Sequence, residues 1–333
     1  MQHPKAYWLI NLGLLALVAL LFFLSVYMGK GGEFLFAKLR AVDEIDRSLA
    51  DLILMELRLP RAALALLVGA TLGLSGAVLQ GLLRNPLAEP GLIGASSGAA
   101  LGAVLVFYFG LGSLSSMLVP MGGVSGALLA LTTLYLLAGR NPSIATLILA
   151  GVAISSFAGA MTSLALNLAA SPYAIYEILF WLLGSFTDRS IDQLRFAAPF
   201  MLAGWLLLAS TARALDALTL GEDTAATLGF SPSFLKLRAI LGVGLAVGAS
   251  VAVSGVIGFV GLVVPHLLRP LVGYDPGRLL LPSALGGAVL LLAADLLVRI
   301  PVGAAELKLG VVTSLIGAPF FLYLILKTRR EAP

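Results

Sequence analysis

Apolar residues fall in long, nearly unbroken runs along this chain, with the polar positions gathered between them. A helix rises 1.5 Å per residue, so about 20 apolar residues cross the roughly 30 Å of bilayer hydrocarbon. Ten runs approach that length, at 7–28, 62–83, 92–109, 117–138, 144–168, 194–211, 234–253, 256–271, 279–298 and 309–326. They predict an all-α polytopic membrane protein of about ten transmembrane helices. The seventh and eighth run together through Ser254-Gly255, so the count rests on reading a break there. The first is too long for a secretory signal and lacks a small-x-small cleavage site, which favours an uncleaved span.

Three polar or mixed stretches interrupt the pattern. Residues 30–57 carry Asp43, Glu44, Asp46, Arg47 and Asp51 among apolar positions, as an amphipathic surface helix outside the membrane does. Residues 172–190, with Tyr173, Tyr176, Phe180 and Trp181, predict a short outer helix, the aromatics serving either a cavity mouth or an interfacial belt. Residues 213–235 contain the polar island DALTLGEDTAATLGFSPS. There Gly221 precedes and Gly229 ends a short helix, which makes a compact knob.

Composition agrees with this class. Apolar residues make up 59% of 333 positions, charged residues 11%, and mean hydropathy is +1.03, too little charge for a water-facing surface. The absence of cysteine excludes disulfides, thiolate metal sites and a cysteine nucleophile. The two histidines, His3 and His266, have no carboxylate or second histidine near them in sequence, so neither a catalytic constellation nor a metal site is predicted. No G-x-x-x-x-G-K-[ST] run is present; Gly29-Lys30-Gly31-Gly32-Glu33 has the wrong spacing, so the chain does not bind ATP by a P-loop. A net charge of +4 spread over loops is solvation of span ends and gives no nucleic-acid surface. The positive-inside count, eleven of the 21 Lys and Arg on one side and ten on the other, leaves orientation to the basic tail 327–330 and to the resemblance described below.

Glycine occupies 37 positions, several at four-residue spacing: Gly69/Gly73, Gly94/Gly98/Gly102, Gly122/Gly126 and Gly244/Gly248. Such faces let helix backbones approach closely where lipid offers no hydrophobic drive. At an offset of 179, residues 68–102 resemble 247–281, including Ser75/Ser254, Gly76/Gly255 and Pro86/Pro265, which suggests an internal duplication.

Four blocks in one order, RLPRAALALLVGATLGLSGAVLQGLLRNPLAEPGLIGASSG from Arg58, GEDTAATLG from Gly221, SGVIGFVGLVVPHLLR from Ser254, and ADLLVR followed by GVVTSLIGAPFFL, resemble the permease subunits of ABC importers for ferric siderophores, haem and cobalamin. The resemblance, from about Arg58 to Lys327, implies a type II importer permease fold in a bacterial inner membrane, with residues 1–333 as a single transmembrane domain. It implies a homodimer with the path at its interface, two ATP-binding cassette subunits that hold ATP and Mg, a periplasmic substrate-binding protein, and no cofactor in this chain. Arginines matching its docking positions are Arg58, Arg61 and Arg299. Its coupling loop maps to Gly221, Glu222, Ala225, Leu228 and Gly229, and its cytoplasmic gate to Ser143, Ile144 and Ala145. At the gate this chain is more apolar than the cobalamin permease, which has small hydroxylated residues there. Asp295, four residues before Arg299, is placed to hold it along the helix. The implied substrate is an iron chelate, haem or siderophore, with cobalamin the alternative. A secondary transporter or channel would need intramembrane carboxylates, and only Asp295 approaches that description.

Overall fold

A computed structural model of the chain describes residues 4–29, 51–139, 142–169, 171–300 and 307–331. These fold into thirteen α-helices: α1 (Pro4–Tyr27), α2 (Leu59–Leu82), α3 (Ala95–Tyr108), α4 (Leu118–Ala138), α5 (Ile144–Asn167), α6 (Pro172–Leu182), α7 (Ile191–Ala209), α8 (Ala212–Leu218), α9 (Glu222–Thr227), α10 (Pro232–Ser254), α11 (Val260–Leu268), α12 (Pro276–Val298) and α13 (Leu309–Glu331). Ten of them occupy the ten apolar runs, and α6, α8 and α9 fill two of the polar interruptions. Among the described residues seven helical segments are long and apolar enough to cross a membrane; α3, α11 with its 3-10 turn, and the apolar part of α13 are shorter. Of the expected surface helix, 30–50 lies outside the described residues. Residues 51–58 continue directly into α2 through a π-helical turn, Ile53–Arg58. Pro60 explains that turn: its ring crowds the carbonyl four residues back, and the Leu59 N–H reaches past it to the Leu54 carbonyl.

Small residues set the packing, as their spacing predicts. A Cβ at Gly73 would collide with the Ser283 carbonyl of α12, and one at Gly69 with the Gly287 carbonyl, so α2 and α12 touch backbone to backbone. Gly98 and Gly102 of α3 meet Gly122 and Gly126 of α4 in the same way, and Gly244 and Gly248 of α10 receive Leu131 and Ala127 of α4. The bundle thus forms around the buried helices α2 and α10, while Leu9, Leu12 and Leu20 on α1 and Leu129 and Leu136 on α4 remain exposed on the single chain.

The eighth run is shorter as a helix than 256–271. α11 has nine residues and continues only into a 3-10 turn, Arg269–Val272. The backbone breaks at Gly255 (φ +72°) and Phe259 (φ +68°). Glycine is needed at 255 because a side chain would strike the Trp181 carbonyl. At this junction the Ser185 N–H donates to the Ser254 carbonyl (2.8 Å), and the N–H groups of Leu309 and Gly310 donate to the carbonyls of Gly184 and Leu183 (3.0 Å each). The ends of α6 and α10 and the start of α13 therefore meet in one backbone-bonded knot. The duplication at offset 179 is not what the structure shows. Ser75 and Gly76 lie inside α2 whereas Ser254 and Gly255 end α10, and Pro86 sits in a turn whereas Pro265 is inside α11.

Candidate docking, coupling and gate sites

Arg58, Arg61 and Arg299 come together at one face, around the end of α1. The last carbonyls of a helix lack intrahelical partners and carry its negative dipole end, so they attract guanidinium groups. Arg58 donates to the Tyr27 carbonyl (3.0 Å), and Arg299 donates to the carbonyls of Ser25 and Met28 and to the Ser25 hydroxyl. Asp295 is the other anchor. Arg61 Nε reaches both its oxygens (3.0 and 3.1 Å) and Nη2 closes a third contact (2.9 Å), while Arg299 binds Oδ2 through Nε (3.1 Å) and Nη2. The expected Asp295–Arg299 pair is present. The Arg61–Asp295 pair was not legible, because the two residues lie 234 positions apart. One carboxylate, 1% exposed, thus serves two guanidiniums that are 15% and 7% exposed. Among the described residues, Asp295 is thus outnumbered by the two guanidiniums it binds. Since Asp295 is saturated by arginine, it is not an ion-coupling carboxylate of a secondary carrier.

The polar island forms α8 and α9 at the opposite end of α12. α9 is bounded as its glycines predict: Gly221 (φ +111°) precedes it and Gly229 (φ +89°) closes it, with the Gly229 N–H on the Ala226 carbonyl and the Phe230 N–H on the Ala225 carbonyl, both 3.0 Å. This pair of bonds uses the helix's orphan carbonyls and requires a left-handed residue at 229. Ala225 is buried against the chain itself, whereas Leu220 and Leu228 are 65% and 57% exposed and are the large apolar side chains that the segment leaves available. Glu222 is bound by Lys236 of α10 at 3.1 and 3.3 Å. Asp216 of α8 accepts the Gly277 N–H (2.6 Å) at the start of α12, beside Asp275, the residue that caps α12. Its pKa is pushed up to about 6, first by burial and then by the hydrogen bond and charge of Asp275, against the opposing pull of the Gly277 N–H and Arg278. Neither Lys236 nor Asp216 stands out in the sequence. Lys236 sits within an apolar run, and the Asp216 partners are 61 positions away.

Ser143 caps α5, its hydroxyl accepting the Thr146 N–H at 3.0 Å. Ala145 is exposed, but Ile144 is half-buried against the core of its own chain. Ser143, Ile144 and Ala145 therefore do not share one free face. The short helix α6 is present where expected. Tyr173, Tyr176 and Phe180 are exposed on it, and Trp181 is buried beside Phe107 (ring centroids 5.9 Å). Beside it, a cavity of about 600 Å³ lies against the knot of α6, α10 and α13, lined by Leu182, Val256, Val311, Ser314 and Leu315 among others, with no charged group among its described lining residues. His266, in the last turn of α11, stands edge-on to Phe320 (ring centroids 5.8 Å).

A family model described as the FecCD transport family matches residues 16–327. The chain belongs to the FecCD transport family. Similar proteins include the hemin transport system permease protein HmuU of Yersinia pestis, 43% identical over 84% of both chains, and the vitamin B12 import system permease protein BtuC of Salmonella paratyphi A, 39% identical over 99% of this chain and 98% of that one. A solved structure of an inward-facing putative metal-chelate type ABC transporter matches with a TM-score of 0.83 at 34% identity, covering 98% of this chain and all of the other. The chain is thus a multi-pass membrane permease subunit of an ABC importer, of a family without catalytic activity or a cofactor in the permease. ATP is used through a partner subunit, and the helical architecture expected from the sequence is the one observed.

Proposed function

We propose that this permease imports a metal chelate of the haem or ferric siderophore class, working as a homodimer with two ATP-binding cassette subunits and one periplasmic binding protein. The observation that carries the reading is the knob of α8 and α9. It is compact, presents Leu220 and Leu228 to solvent, and is tied by Asp216 and Glu222 to two long helices. Apolar side chains on an otherwise polar knob suit a groove in a partner, and the ties carry a push into the bundle. At the other face, the positive charge left by two guanidiniums on one carboxylate attracts an acidic lobe of a binding protein, with Arg58 at the rim. The likeness to a hemin permease and to a putative metal-chelate transporter supports the chelate; the likeness to a vitamin B12 permease, over nearly the whole chain, supports cobalamin as the alternative.

Proteoliposomes containing the permease, its ATPase and its binding protein should take up haem or a ferric siderophore only when ATP is supplied. Uptake of cobalamin in preference to both would overturn the chelate. Arg58→Glu should weaken binding-protein capture while the permease–ATPase complex stays intact. Arg61→Glu is not a clean docking variant, because it sets a second carboxylate against buried Asp295.

A further inference from the structure

Lys236 is 7% exposed, four residues past the start of α10. Its ammonium makes three contacts from two other parts of the chain: Glu222 Oε1 at 3.1 Å, Glu222 Oε2 at 3.3 Å and the Pro142 carbonyl at 3.2 Å. Glu222 opens α9, and Pro142 immediately precedes Ser143, the cap of α5. A buried ammonium is stable only while its protons are accepted, since water cannot easily replace a lost partner. Glu222 is itself partly exposed, with its side chain 42% accessible, so the pair spans the boundary between knob and bundle.

We propose that Lys236 is the joint through which movement of the coupling segment reaches the turn before α5. This rests on the coupling and gate assignments made above. If α9 is displaced by a partner, Glu222 draws the ammonium with it, and the Pro142 carbonyl either follows or loses its donor. The movement thereby reaches the first turn of α5, where Ala145 is exposed. A surface ion pair would carry little force, because solvent stands ready to replace either partner. Here the lysine is enclosed, and its two acceptors belong to the two elements that must move together. Lys236, enclosed by its own chain, acts as a positioning residue.

The chain has no native cysteine, so Ala145→Cys can be cross-linked between the two subunits of the reconstituted complex with and without ATP. The background should show a yield that changes with nucleotide. Lys236→Met should still co-purify with the ATPase, but its yield should no longer respond to ATP, and uptake should fall by roughly tenfold, within the range of one coupling free energy. Lys236→Arg, which keeps a cation with several donors, should recover both. A response to ATP in Lys236→Met equal to that of the background overturns the joint while leaving the gate in place. No response in Ala145→Cys alone overturns the gate assignment and the joint with it. Should Lys236→Met fail to assemble, Glu222→Ala, which leaves the ammonium on the Pro142 carbonyl, is read in complexes that retain full ATPase stoichiometry and basal ATP hydrolysis: a retained response overturns the joint, and a lost one supports it.

Discussion

Asp295 is enclosed within the bundle, yet it is the common acceptor for Arg61 and Arg299. Replacing it by Asn keeps the shape and removes the charge, leaving two guanidiniums uncompensated. Breaking a buried ion pair from one side typically costs about 3–5 kcal/mol. Asp295→Asn should therefore lower the melting temperature of the purified permease sharply, and adding Arg61→Met should recover part of the loss by restoring the charge balance. Asp216 gives a residue-scale effect of the opposite kind. Its pKa, about 6 in the fold, lies above the ordinary aspartate value of 3.8, so the folded state binds the proton more tightly than the unfolded chain does. The stabilisation is fully present below about pH 4 and is lost as pH rises through 6. Thermal stability should fall between pH 5 and 7.5, and Asp216→Asn, which mimics the protonated carboxyl, should flatten that dependence. Arg58, Arg61 and Arg299 could each be singled out from their blocks, and docking is the role proposed for them. The carboxylate shared by Arg61 and Arg299 was only half legible, because four-residue helical spacing reveals a pair along one helix and says nothing about a partner on another.

Most elements were legible because a bilayer imposes a length, and ten runs of the right length are visible without any structure. α11 came out shorter because an apolar run does not report backbone direction. Phe259 is as hydrophobic as its neighbours yet adopts a left-handed conformation that ends the segment between α10 and α11. The glycine faces were legible as faces, though not by partner: α2 chose α12, and α3 chose α4. Gly73→Ala should destabilise by about 1–3 kcal/mol, the usual cost of forcing extra volume into a packed contact, because the methyl group meets the Ser283 carbonyl. Gly13→Ala, on an exposed part of α1 with nothing within 4 Å, should be neutral or mildly stabilising in the same melting experiment.

At the scale of the whole molecule, α12 reaches from one face to the other. Its 23 residues span about 35 Å at 1.5 Å each. Gly277 at its beginning binds Asp216 of α8, Asp295 near its end binds Arg61 and Arg299, and its middle is pressed against the backbone of α2. A helix held that closely along its length moves as one body or not at all. If that body has two positions, whatever grips its outer end and whatever grips its inner end are joined by thermodynamic linkage, and the account must balance in both directions. In the complex proposed above, the factor by which nucleotide on the ATPase changes the grip on the binding protein must then equal the factor by which the binding protein changes the grip on nucleotide.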